Sequence, residues 1–77
     1  MPNQQYDAKA IAEALQTRYI FVATRSRNGQ HDEVMSVKEG GVIAHIQSNL
    51  STNVKHHDAF VPASDIMHWY AGAPRSS

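Results

Sequence analysis

The dipeptide Asn28-Gly29 constrains the fold of this chain more than any other feature of its sequence. Two runs rich in β-forming side chains flank it within residues 19–38. A two-residue type I′ turn needs positive φ at both central positions, and Asn and Gly tolerate that backbone conformation best. The sequence therefore predicts an antiparallel β-hairpin over about residues 19–38.

The same turn predicts the register of the hairpin. A two-residue connection places Thr24 opposite Glu33 and Val22 opposite Met35. Side chains alternate between the two faces of a strand. We therefore expect Ile20, Val22, Met35 and Val37 on one face, and Tyr19, Phe21, Ala23 and Val34 on the other. Both faces are apolar near the base, so each needs to be covered.

Helices are predicted on both sides of the hairpin. Asp7 can cap a helix that runs to about Thr17. Its apolar stripe would consist of Ala8, Ile11, Ala12 and Leu15. Ser64 can cap a short C-terminal helix that Gly72 and Pro74 would end. The shared face of that helix would carry Ile66, Trp69 and Tyr70, with Trp69 inside the protein and Tyr70 at its edge.

Residues 39–50 admit two interpretations. We favour a helix, because Glu39 suits a first turn and Leu50 extends an apolar stripe beyond the usual strand length. In the alternative, residues 39–41 form a second turn and the segment becomes a third strand. Residues 48–53 have the composition of a loop, and residues 59–61 could form a short edge strand that Pro62 ends.

These elements predict an α+β fold, with an N-terminal helix, the hairpin, a middle helix or third strand, and a short C-terminal helix. A chain of 77 residues predicts one domain over residues 1–77, with residues 1–5 and 72–77 frayed. Without cysteine it has no disulfide and no thiolate metal site. No apolar run reaches the roughly 20 residues of a membrane span, so we expect a cytoplasmic protein.

Charge and motifs narrow the function further. Seven Lys and Arg residues balance seven Asp and Glu residues, which disfavours a strong grip on nucleic acid and makes self-association plausible. None of the five histidines has a partner at the spacing of a metal site on one helix or strand, so no metal or other cofactor is expected. Catalytic motifs are absent from the sequence, so we predict that the protein is not an enzyme.

The hairpin tip is the first candidate binding site. Its residues are polar, and a tight turn presents them with little conformational entropy to lose. Arginine suits carboxylates and carbonyl groups on a partner protein. The predicted partner-binding residues are Arg25, Arg27, Asn28 and Gln30. The blander interpretation is a solvated tip in which Arg25 pairs across the strands with Asp32.

Residues 42–57 offer an alternative site. They resemble the second and third helices of helix-turn-helix repressors in a small residue, a Ser/Thr cap and a following valine. They depart from that pattern in the turn, at residues 47–49. The nucleic-acid-binding residues would be Thr52, Asn53, Lys55 and His56. A basic hairpin tip could serve the same role.

Size and composition favour a small non-enzymatic protein-binding module. Such a module would act as an inhibitor or adaptor of a larger protein or complex, as do small proteins carried by phages and mobile elements. The alternative is a nucleic-acid-binding regulator that uses residues 42–57 or the hairpin tip.

Overall fold

The computed structural model of the protein describes residues 3–50 and 53–76. It contains one short helix, α1 (Ala8–Ala14), and five strands. The strands are β1 (Arg18–Thr24), β2 (His31–Lys38), β3 (Gly41–Leu50), β4 (Asn53–Pro62) and β5 (Ile66–Pro74). They form one antiparallel sheet in the order β4-β3-β2-β1-β5. Two 3₁₀ turns, Arg25–Arg27 and Ala63–Asp65, join β1 to β2 and β4 to β5.

The predicted α+β fold with three helices is therefore wrong. Residues 39–50 contribute β3 instead of a helix, and Gly40 forms the preceding turn with a φ of 80°. The strand that we considered as the alternative is the one observed. Residues 66–70 lie in β5, so the predicted C-terminal helix is also absent. The segment that resembled a helix-turn-helix contributes to the β3–β4 hairpin instead.

A β-bulge in β5 explains why its apolar spacing imitates a helix. Ile66 pairs with Thr24, whereas His68 pairs with Ala23, so Met67 is an extra residue. An extra residue changes the spacing of side chains on one face from two to three, which is also the spacing along one face of a helix. Ile66 and Trp69 consequently both face the core, although they are three residues apart.

A second bulge, in β2, has the same effect. Val34 pairs with Ala44 and Ser36 pairs with Ile43, so Met35 is extra. Val34 is fully buried, and Met35 is 46% exposed. The prediction that Met35 lies opposite Val22 on one face of the hairpin, with Val34 on the other face, is therefore wrong, because Val34 shares the face of Val22.

The turn at Asn28-Gly29 has the predicted local geometry but not the predicted register. Both residues have positive φ, 54° and 77°, and the Gln30 N–H donates to the Arg27 carbonyl at 3.0 Å. The 3₁₀ turn Arg25–Arg27 precedes this dipeptide and lengthens the connection. Val22 pairs with Asp32 as a result, three residues away from the predicted Met35.

The short connection between β4 and β5 requires the sheet to bend. Pro62 pairs with Gly41 at one end of β2, and Ile66 pairs with Thr24 near the other end. In a flat sheet, the four strand spacings between β4 and β5 alone would separate Pro62 from Ile66 by about 19 Å. The chain from Pro62 to Ile66 spans at most about 14 Å. The sheet must therefore curl until its two edge strands come close together, and the bulge at Met35 adds a local bend to β2.

The core lies on the inner side of this bent sheet, and α1 packs against it. Asp7 caps the helix, accepting a hydrogen bond from the Ala10 N–H at 3.2 Å, as predicted. Within the predicted apolar stripe, Ile11 is buried but Ala12 is exposed. The buried residues of this core are Ile11, Ile20, Val22, Val34, Val42, Ala44, Ile46, Val61, Ile66, Trp69 and Ala71.

Trp69 lies inside the protein, as predicted, and its indole N–H donates to the Gln5 carbonyl at 2.8 Å. Gln4 exchanges two backbone hydrogen bonds with Trp69, each at 2.8 Å. Near the other terminus, the Arg75 N–H donates to the Thr17 carbonyl at 2.8 Å.

Fraying of residues 1–5 and 72–77 stays a prediction, and residues 1, 2 and 77 lie outside the described residues.

Replacement of Gly29 tests the turn. A Cβ atom at this position meets no other atom within 4 Å, so the backbone conformation alone decides the cost. We expect Gly29→Val to lower the free energy of unfolding by about 1–2 kcal/mol, because a β-branched residue is strained at positive φ. Gly29→Asn is the control and should lose less. Urea unfolding followed by Trp69 fluorescence measures both, and equal stability of the two variants would contradict the turn geometry.

Candidate functional site

The structure gives the two arginines of the hairpin tip internal partners. Arg25 donates from Nη1 to the Ser64 carbonyl at 3.0 Å. Arg27 donates from Nε to Asp32 Oδ2 at 2.7 Å, and from Nη2 to the Gln47 carbonyl at 3.2 Å. These contacts give both side chains a structural role. Binding of a partner by this tip stays a prediction.

The ion pair of Arg27 with Asp32 lies at the edge of the core. Asp32 is 5% exposed and pairs with the buried Val22, so its carboxylate needs a cation or hydrogen bonds. The sequence suggested a cross-strand pair of Asp32 with Arg25. The 3₁₀ turn brings Arg27 to Asp32 instead.

The first 3₁₀ turn is also fastened to the second. Ser26 donates to the Asp65 carboxylate from its backbone N–H, at 3.2 Å, and from its hydroxyl group, at 2.6 Å. Together with the Arg25 bond to Ser64, these contacts join the β1–β2 connection to the β4–β5 connection.

The alternative nucleic-acid-binding residues belong to the β3–β4 hairpin. Thr52 lies outside the described residues. Asn53 begins β4, and its backbone pairs with Leu50. Lys55 and His56 are exposed on the same strand. Their binding of nucleic acid stays a prediction, although the helical presentation that suggested it is wrong.

The strand register gathers polar and aromatic side chains on the face of the sheet opposite the core, which we call the outer face. One row crosses all five strands and consists of Asp58, His45, Glu33, Phe21 and Tyr70. Beside it, His31 and His68 flank Ala23 on the two strands next to β1. Four of the five histidines thus lie on this face, counting His56, whose ring contacts that of His45.

Four rings on this face form an aromatic cluster, which consists of Phe21, His31, His68 and Tyr70. Phe21 stacks on Tyr70 with ring centroids 5.3 Å apart and an angle of 21° between the planes. His31 and Tyr70 pack edge to face, with ring centroids 5.1 Å apart and an angle of 89° between the ring planes. The His31 and His68 centroids are 5.6 Å apart. The sequence did not predict this cluster, because it depends on the observed register.

Small residues shape the surface around the aromatic cluster. Ala23 is fully buried between His31 and His68. A Cβ atom at Gly72 would approach Phe21 Cε2 to 2.8 Å, so only glycine lets the Phe21 ring lie this close to the β5 backbone. These contacts hold the rings in a fixed arrangement.

An open cleft of about 600 Å³ lies beside the aromatic cluster. Its lining residues are Asn3, Gly29, His31, His68, Tyr70, Ala71 and Gly72. His68 Nε2 is buried and has no hydrogen-bond partner among the described residues. The cleft therefore offers aromatic surface to a bound group.

A second cluster on the outer face joins β3 to β4. His45 Nδ1 lies 2.9 Å from Asp58 Oδ1, and His45 Nε2 lies 3.3 Å from His56 Nδ1. We call these residues the His45–His56–Asp58 cluster. The spacing of histidines along the chain gave no hint of it, because residues 39–50 were predicted to be helical. The alternation of Val42, Ala44 and Ile46 was the available signal for a strand with His45 on the opposite face.

The comparisons with known proteins place no constraint on the function. No family model, curated protein sequence or solved structure matches this chain. Within the described ranges, no helix combines the length and the apolar character that crossing a membrane requires. The aromatic cluster with its cleft and the His45–His56–Asp58 cluster are therefore the features from which a function can be inferred.

Arg27 and Arg25 offer a matched test of the hairpin tip. Arg27→Met should lower the free energy of unfolding by about 3 kcal/mol, because it leaves the Asp32 carboxylate buried without its cation. Arg25→Met should cost less than about 1 kcal/mol, because Arg25 is exposed. Urea unfolding measures both losses. Equal losses would show that the ion pair of Arg27 with Asp32 contributes no more to the free energy of unfolding than the contacts of the exposed Arg25.

Proposed function

We propose that this protein is a small non-enzymatic protein-binding module that docks its partner on the aromatic cluster. The observation that carries the proposal is the gathering of four rings, from three strands, beside an open cleft. Aromatic side chains and methionine are enriched in protein interfaces. Met67, which is next to His68 in β5, also remains exposed, at 47%.

The geometry of the cluster favours strong binding. Phe21 and Tyr70 are half-buried and stacked, so a partner would not have to immobilise them. Each ring still exposes apolar surface, and the Tyr70 hydroxyl group can form a hydrogen bond with the partner. Well-packed aromatic residues at the centre of an interface supply most of its binding energy.

Charge supports a protein partner over a phosphate backbone. Glu33 and Asp58 share the row of the outer face that contains the stacked rings. The whole chain carries a formal net charge of zero when its histidines are neutral. A surface with carboxylates among its rings repels phosphates and suits the mixed polarity of a protein surface.

The role that fits such a module is that of a cytoplasmic inhibitor or adaptor, which acts by occupying a surface of a larger protein or complex. The likeness to accessory proteins of phages and mobile elements rests on size and composition alone. Gly29 lines the cleft, so its neighbours Asn28 and Gln30 would border the bound partner. Self-association stays a prediction from the charge balance.

A second candidate function is the binding of single-stranded nucleic acid. The stacked Phe21 and Tyr70 on a sheet face favour it, because bases stack on aromatic side chains in many such proteins. Lys55 and His56 are exposed on the same sheet, at β4. This binding would weaken steeply as salt rises, whereas docking on an apolar protein surface would not.

Replacement of Tyr70 tests the docking surface. We expect Tyr70→Ala to weaken binding of a purified partner at least tenfold, which corresponds to about 1.4 kcal/mol. Phe60→Ala is the control, because Phe60 is exposed on β4, at the opposite edge of the sheet. Affinity capture from nuclease-treated lysate would supply the partner, and calorimetry would measure its binding to each variant.

Three results separate the alternatives. Capture that nuclease abolishes, with affinity that falls steeply between about 50 and 200 mM salt, would favour nucleic acid. Binding that Tyr70→Ala leaves unchanged and Phe60→Ala reduces would place the interface elsewhere. Circular dichroism of both variants shows whether a loss of binding reflects a loss of structure.

A further inference from the structure

The two imidazole rings of the His45–His56–Asp58 cluster have the spacing of two ligands to one metal ion. His45 Nε2 and His56 Nδ1 are 3.3 Å apart. The ring planes differ by 14°, and the ring centroids are 5.2 Å apart. Tetrahedral zinc bonds of about 2.0–2.1 Å separate two ligand nitrogens by about 3.3 Å. An ion could therefore bind both nitrogens after small rotations of the side chains.

Asp58 selects the tautomer of His45 that such a site requires. Its Oδ1 atom lies 2.9 Å from His45 Nδ1. An ionised carboxylate only accepts hydrogen bonds, so Nδ1 carries the proton and Nε2 presents its lone pair. A carboxylate that orients a ligating histidine in this way is a common feature of metal sites.

We propose that His45 and His56 bind a divalent transition-metal ion that prefers imidazole ligands, such as Zn²⁺, with Asp58 orienting His45. Among residues 3–50 and 53–76, no three His, Asp or Glu side chains converge on one ion position. The chain thus supplies two direct ligands, and water completes the coordination. This site is separate from the proposed docking surface and does not depend on it.

The sheet holds this pair in place before an ion arrives. His45 pairs with Asp58, and Gln47 pairs with His56, so the cluster rests on two neighbouring positions of one face of the β3–β4 ladder. His57 pairs with Ile46 instead, which directs its side chain to the other face. A histidine adjacent in sequence to His56, but outside the site, is therefore available as a control.

Titration of the full chain with Zn²⁺ at about pH 7.5 tests the proposal. Calorimetry should show one zinc ion bound per chain. His45→Ala and His56→Ala should each weaken zinc binding at least tenfold, and His57→Ala should change it less than about twofold. Asp58→Asn should weaken it roughly tenfold, because the orienting carboxylate is lost. In histidine side-chain NMR spectra, zinc should shift the His45 and His56 signals and leave His57 in place.

The competing explanation is a hydrogen bond alone, in which one imidazole N–H donates to the other ring. In that case the titration would show no stoichiometric zinc binding. Zinc binding that survives both His45→Ala and His56→Ala, or that His57→Ala weakens equally, would also overturn the proposal. Urea unfolding of each variant confirms that the exposed substitutions leave the fold intact.

Discussion

The three-residue connection Ala63–Asp65 is the constraint on which the rest of the structure depends. It links β4 to β5, which lie at opposite edges of the five-stranded sheet. So short a link is possible only if the sheet curls until its two edge strands approach each other. Hydrogen bonds of Ser26 to Asp65, and of Arg25 to Ser64, then hold the two 3₁₀ turns together. One apolar core fills the inside of the bend.

The inner face of the curled sheet packs against the core and stabilises the fold. The outer face carries the two side-chain clusters that we propose as binding sites. The aromatic cluster occupies β1, β2 and β5 on the outer face, and the His45–His56–Asp58 cluster occupies β3 and β4. Their chemistries differ. The first offers stacked rings beside a cleft, and the second offers two imidazole nitrogens at the spacing of metal ligands.

Local signals in the sequence predicted the features that depend on a few neighbouring residues. The Asp7 cap, the positive φ values at Asn28-Gly29 and the buried Trp69 are of this kind. Two strands were predicted as helices. In β5 the bulge at Met67 gives apolar side chains the spacing of a helix, and in β3 the apolar run fits the spacing of a helix as well as that of a strand. Both clusters depend on cross-strand register. The aromatic cluster was missed because the β1–β2 register was wrong by three residues and β5 was predicted as a helix. The His45–His56–Asp58 cluster was missed because β3 was predicted as a helix.

Residues distant in sequence meet in one aromatic cluster on the outer face of the sheet. A nuclear Overhauser experiment on ring protons tests it most directly. We expect contacts of the Tyr70 ring with both Phe21 and His31, together with backbone contacts between β1 and β5. The contradicting result would be the absence of these contacts, with helical contacts between residues three apart in the segment 66–70.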